Sequence, residues 1–76
     1  MYILKSKIDA SFYVGSTNDL RRRLSEHNSG KSIYTKHLLP WKVIYYEAYS
    51  TYDSAFKREM GLKKRARSWQ ELMKRI

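Results

Sequence analysis

The segment WKVIYYEAY, residues 41–49, constrains the fold more than any other stretch of this chain. Its aromatic and β-branched residues make it the strongest strand signal present. Trp41, Val43 and Tyr45 alternate on one face, and Ile44, Tyr46 and Ala48 on the other. A strand that is apolar on both faces has to be covered on both, so the chain needs a sheet with packing layers above and below it.

The rest of the sequence supplies those layers. MYILKS and SFYVG, residues 1–6 and 11–15, are short β-prone runs on either side of the polar turn KIDA, which reads as a β-hairpin. STNDLRRRLSEHNSG, residues 16–30, predicts a helix with Thr17 or Asn18 as cap and Asp19 at its positive end. Leu20, Leu24 and His27 share one face, and Asn28 or Gly30 ends it. SIYTKHLLP is a connector with at most one helical turn, stopped by Pro40. STYDSAFKREMGLKK predicts a second helix capped near Thr51 or Asp53. SWQELMKRI predicts a terminal helix starting at Ser68, with Glu71 completing an S-x-x-E capping box. The order β-β-α-β-α-α is α+β: a small three-stranded antiparallel sheet flanked by helices, with residues 1–76 forming one domain.

Composition narrows the chemistry. There is no cysteine, which excludes disulfides, thiolate catalysis and cysteine zinc sites. The two histidines, His27 and His37, are too few to build a zinc site without several carboxylates. No signal peptide or membrane span is evident, and the expected compartment is the cytoplasm. Sixteen Lys and Arg against seven Asp and Glu give a net charge of +9, which points to a polyanionic partner, nucleic acid first. The basic residues are spread along the chain, so folding has to gather them.

A few residues depart from an ordinary core-and-surface pattern. On the second predicted helix, Ala55, Leu62, Phe56 and Met60 define an apolar arc, and Glu59 falls inside it, about 40° from Ala55. A carboxylate there needs a partner. Lys63, at i+4 in the favourable order, is one; a cation is the other, since Mg²⁺ needs only one or two protein carboxylates when phosphate oxygens and water complete its shell. On the first helix, Arg23 and His27 are also at i, i+4 and border the Leu20–Leu24 face, whereas Arg21 and Arg22 point outward and Arg22 can pair with Glu26. An arginine against a core edge keeps its fork oriented for bidentate contact with phosphate. Tyr2 and Tyr13 fall on neighbouring strands of the hairpin, and Gly15 permits a sharp turn or a close backbone approach.

These residues carry a resemblance. MYI at Met1 to Ile3 and YVG at Tyr13 to Gly15, followed by a helix with arginine and histidine and a later helix with glutamate, resemble the GIY-YIG nuclease domain. Tyr2 and Tyr13 match the tyrosines of its two motifs, Arg23 its arginine, His27 the histidine or tyrosine one turn later, and Glu59 its metal-binding glutamate. The resemblance covers essentially the whole chain. It is nearest to the short stand-alone bacterial subfamily, the UPF0213-like proteins, whose downstream pattern reads here Gly30, Lys31, Tyr34, Thr35, Pro40, Glu47, Ala55, Glu59 and Lys63. Two departures stand out: the first tripeptide lacks its glycine, and Ser16 stands where the excision-repair members carry a lysine.

The resemblance implies a metal-dependent endonuclease that hydrolyses phosphodiester bonds. Glu59 would hold Mg²⁺ or Mn²⁺, Arg23 the phosphate, and a hydroxyl of Tyr13 or Tyr2, made more acidic by Arg23, His27 or the metal, would orient or deprotonate the attacking water. Arg21, Arg22, Lys31, Lys36 and Lys63 would bind flanking phosphates without reading bases. With no room for an appended DNA-reading domain, selectivity would be for nucleic-acid structure, in repair or recombination, with DNA ahead of RNA as substrate. No membrane or small-molecule cofactor is implied, and the expected state is a monomer or weak dimer. Two rival classes remain: a non-catalytic nucleic-acid-binding module with a degenerate site, and an interaction domain for an acidic protein.

Overall fold

A computed structural model describes residues 1–76. Its elements are β1 (Tyr2–Ser6), β2 (Phe12–Gly15), α1 (Leu20–Asn28), a single 3-10 turn (Lys36–Leu38), β3 (Trp41–Tyr46), α2 (Tyr52–Lys64) and α3 (Ala66–Met73). The three strands form one antiparallel sheet in the order β2-β1-β3. The fold is therefore α+β with the expected element order.

The first strand, rather than WKVIYYEAY, is the central one. Tyr2, Ile3 and Leu4 are all but sealed from solvent, and β3 lies at an edge with Lys42 and Tyr46 exposed. The hairpin gives β1 one partner, β2, and β3 pairs its other side. In the hairpin turn Ser6 N donates to Ser11 O at 3.0 Å, and the Asp9 carboxylate accepts from Ser11 N at 2.7 Å.

Both sheet faces are covered. Met1 and Ile3 pack with Leu62 and Leu72 under α2 and α3. Tyr2, Leu4 and Trp41 pack with Leu20, Leu24 and Leu38 under α1 and the connector. The simple alternation expected for β3 breaks at a register shift: Ile3 pairs Tyr45 but Leu4 pairs Val43. The extra residue, Ile44, turns Tyr45 onto the same face as itself, with Met1 and Ile3, instead of leaving it with Trp41 and Val43.

Helix ends depart from expectation in two places. Asp19, not Thr17 or Asn18, caps α1 by accepting from Arg22 N at 3.1 Å, because Thr17 Oγ1 is occupied with Asp19 N in the turn before it. At the other end Asn28 closes α1, and Gly30 (φ +79°) reverses the chain in the left-handed region that glycine tolerates. The last helix starts at Ala66, so Ser68 lies inside its first turn and forms no capping box with Glu71. Arg65 alone, in extended backbone, separates α2 from α3; its carbonyl accepts from Trp69 N at 3.2 Å, and Glu71 pairs with Arg67 instead. Thr51 caps α2 as expected. No helix is long and apolar enough to cross a membrane.

Candidate active site

The strand register decides which side chains meet. Tyr2 pairs Gly15 and Leu4 pairs Tyr13, so Tyr2 and Tyr13 are diagonal neighbours on the α1 face, ring centroids 6.2 Å apart. The Tyr2 ring lies directly over Gly15. A Cβ there would stand 2.6 Å from Tyr2 Oη and 2.7 Å from Cζ, so Gly15 serves close approach. Gly15→Ala is expected to push the Tyr2 ring off its seat and to destabilise by about 1–3 kcal/mol. Urea unfolding of the variant, with its Tyr2–His27 contact followed by NMR, checks this; unchanged stability would contradict it.

His27 comes down from α1 onto this pair. It is fully buried, with its ring 4.7 Å from that of Tyr13 and 6.1 Å from that of Tyr2. Both nitrogens have partners: Nε2 lies 3.1 Å from Tyr2 Oη and Nδ1 2.8 Å from Thr35 Oγ1. Burial, and then the charge of Arg23, hold His27 below the ordinary imidazole value, so it is neutral at pH 7. Burial also pushes Tyr2 up to about 12, against the opposing pull of Arg23. Tyr2 is therefore a hydrogen-bonding phenol and not a standing phenolate.

That shift has a measurable consequence. The folded state holds the Tyr2 proton more tightly than the unfolded state does. The resulting stabilisation is complete below pH 10 and is lost as pH rises towards about 12. The loss should amount to about 2–3 kcal/mol, and Tyr2→Phe should remove that part of the alkaline slope in unfolding curves. An equally steep slope in Tyr2→Phe would contradict the assignment.

Arg23 stands one helical turn before His27, half-buried. Burial alone would weaken its hold on its proton, but the hydroxyls of Tyr2 and Tyr13 and the Glu26 carboxylate outweigh that and raise it. Its Nη1 donates to Glu26 Oε1 at 3.3 Å. The expected Arg22–Glu26 pair is thus replaced by Arg23–Glu26. Arg22 instead joins Arg23, Glu26, Ser16, Thr17, Asn18 and Tyr52 in the wall of a polar cleft of about 350 Å³. A second cleft of about 410 Å³, lined by Tyr2, Tyr46 and Tyr49, shares Thr17, Asn18 and Tyr52 with the first.

Glu59 reaches the same end of the sheet from α2. It is 8 % exposed; Ser16 Oγ donates to its Oε1 at 2.7 Å, and Lys63 Nζ to its Oε2 at 2.5 Å. Ser16 follows Gly15 directly, so the carboxylate is tied to the residue next to the seat of Tyr2. No group of three or more His, Cys, Asp or Glu side chains is gathered anywhere to hold a metal. Glu59 offers a single hard oxygen donor, which fits a divalent cation that keeps most of its water and takes other oxygens from a phosphate. Because the Lys63 side chain is 46 % exposed, it can swing into solvent and free Oε2.

The other basic candidates are less gathered. Arg21, Lys31 and Lys36 are exposed and line neither cleft. Thr35 and Ser16 are the site residues whose contacts sequence reasoning missed. Thr35 is 1 % exposed, its hydroxyl on His27 and its carbonyl accepting from Trp41 Nε1 at 2.9 Å. Its place after Tyr34 in the downstream pattern was the only signal. Asn28 adds a clamp, accepting from Trp41 N at 2.7 Å and donating to Trp41 O at 3.0 Å.

A three-stranded α+β fold that collects two tyrosines, an arginine and a histidine on one sheet face, with a lone buried carboxylate beside them, is of the nuclease type. The GIY-YIG catalytic domain family model matches residues 1–74, and the chain belongs to that family. It is 43% identical over 72 residues to a UPF0213 protein of Streptococcus pneumoniae serotype 4, covering 93% of this chain and 72% of that protein. It is 40% identical over 73 residues to a UPF0213 protein of Streptococcus pyogenes serotype M3, covering 95% of this chain and 78% of that protein. No solved structure matches the chain significantly.

Proposed function

We propose that the chain is a metal-dependent endonuclease that hydrolyses phosphodiester bonds in DNA, selecting by structure and not by base sequence, in repair or recombination. The observation that carries this reading is the meeting of Tyr2, Tyr13, Arg23 and His27 beside a polar cleft, with Glu59 joined to it through Ser16. Residues 1–76 act as one unit in this reading.

Arg23 and Arg22 receive the substrate phosphate in the cleft, and the fork of Arg23 opposes the charge that grows on it in the transition state. Tyr13, half-exposed where Tyr2 is buried, orients the attacking water. Tyr2 and Thr35 hold the His27 ring from both sides, which fixes it against Tyr13. Glu59 would hold Mg²⁺ or Mn²⁺ once Lys63 turns away. Such a cation supplies Lewis-acid stabilisation of the leaving oxygen.

The decisive assay incubates the protein with supercoiled plasmid and with branched and single-stranded DNA, in Mg²⁺ or in EDTA. Cutting in Mg²⁺ alone is the expected result. The Lys63–Glu59 pair favours a second reading, a binding module whose carboxylate is permanently neutralised. Salt-sensitive binding without cutting on every DNA would decide for it.

A further inference from the structure

From His27 to Tyr46 the chain contains Lys31, Lys36 and Lys42 and not one Asp or Glu. Within this stretch stand the two most exposed large apolar side chains of the molecule, Ile33 at 74 % and Tyr34 at 87 %. A single exposed apolar residue is ordinary. Two adjacent ones at the tip of a firmly held turn are not.

The turn is held from both sides. Thr35 N and Lys36 N both donate to Ser32 O, at 3.3 and 3.0 Å, and Leu38 N donates to Thr35 O at 3.1 Å. Thr35, the next residue after the tip, is buried and bonded to His27 and Trp41. The tip is therefore anchored through one residue to the histidine of the candidate site, so on binding the backbone of Ile33 and Tyr34 needs little further ordering.

We propose that Ile33 and Tyr34 form a wedge that enters between nucleobases of the bound nucleic acid, while Lys31 and Lys36 contact the adjoining phosphates. The inference rests on the nucleic-acid reading above and adds its substrate class: DNA whose bases are already unpaired or poorly stacked, as at a bulge, mismatch or branch. An apolar tip flanked by cations complements a ligand that is anionic outside and apolar between its stacked planes. A second copy of the chain, itself at +9, lacks that complement. Parting a matched step costs a few kcal/mol and parting a disrupted one costs less, whereas stacking on an aromatic ring returns about 1–3 kcal/mol per base. The balance favours disrupted sites.

The test uses a short duplex with 2-aminopurine beside a single-nucleotide bulge, and its fully matched counterpart, in EDTA so that no cutting intervenes. Wild-type protein should raise the 2-aminopurine fluorescence of the bulged DNA and bind it about 10-fold more tightly than the matched one. The double variant Ile33→Ser/Tyr34→Ser should keep the circular dichroism and melting of the wild type, since neither side chain is buried, yet lose the fluorescence rise and the preference. Lys31→Ala/Lys36→Ala should instead weaken both DNAs alike and flatten the salt dependence, with the fluorescence rise intact at saturation. A serine variant that binds and brightens the bulged DNA like wild type overturns the wedge and leaves the nuclease reading standing. A serine variant altered only from dimer to monomer in sedimentation assigns the tip to self-association and also overturns it. Absence of salt-sensitive binding by the wild type to either DNA overturns both readings.

Discussion

Glu59→Gln is expected to bind branched DNA as the wild type does and to cut it at least about 10²-fold more slowly in Mg²⁺. The amide matches the carboxylate in size, and its oxygen can still accept from Ser16 Oγ, so the 8 % exposed site keeps its packing. What it loses is the negative charge that a hard divalent cation requires. Lys63 loses its partner but is 46 % exposed and turns to water, so the stability change should stay within about 1 kcal/mol. Lys57→Ala, an exposed change on the same helix outside the site, controls for general loss of charge. Cleavage rates measured across a Mg²⁺ titration decide the matter: a Glu59→Gln protein that cuts at the wild-type rate removes the carboxylate from the mechanism.

The second large effect is at Arg23. Arg23→Ala should lower the cleavage rate by about 10²–10³-fold, the range found when one preorganised donor to developing charge is removed. Arg23→Lys should recover only a small part of this, because an ammonium cannot replace two parallel donors held against Tyr2, Tyr13 and Glu26. Arg21→Ala, on the exposed side of the same helix, should change little beyond salt-dependent affinity. A second readout separates an electrostatic role from a structural one. Arg23 is one of the groups that hold His27 down, after burial itself, so His27 should titrate at higher pH in Arg23→Ala. Imidazole resonances followed by NMR against pH would show this, and an unmoved titration would mean that Arg23 does not face His27.

Much of the architecture was legible because it follows from local pattern. Short β-prone runs either side of a polar turn marked the first two strands and the aromatic, β-branched run 41–49 the third, and Leu20, Leu24 and His27 marked the buried face of α1. The position of Glu59 in the apolar arc of α2 was legible from helical periodicity, as were both possible partners, and it is Lys63 that the carboxylate meets. Which strand is central was not legible. WKVIYYEAY has the strongest strand composition, yet β1 is paired by β2 through the hairpin on one side and by β3 itself on the other, which leaves β3 at an edge. Nor was the slip at Ile44, since one extra residue between two paired positions leaves no mark in residue type. At α1 Thr17 Oγ1 was already engaged by Asp19 N, so Asp19 became the cap, and α3 began at Ala66 after Arg65 with no side-chain cap.

By itself, then, the sequence determined the kinds of element, their order and the net charge of +9, because periodicity, residue type and net charge act over a few bonds or by simple sum. Tertiary structure alone decided the contacts that make a site of them. Tyr2 meets His27 across 25 residues, and Ser16 meets Glu59 across 43. Such pairs depend on strand register and helix docking, where a shift of one residue reverses every side chain of a strand. For the same reason Thr35 is marked in sequence only by its place in the downstream pattern, and becomes the fixed point behind an exposed apolar tip only once α1 and the connector pack together.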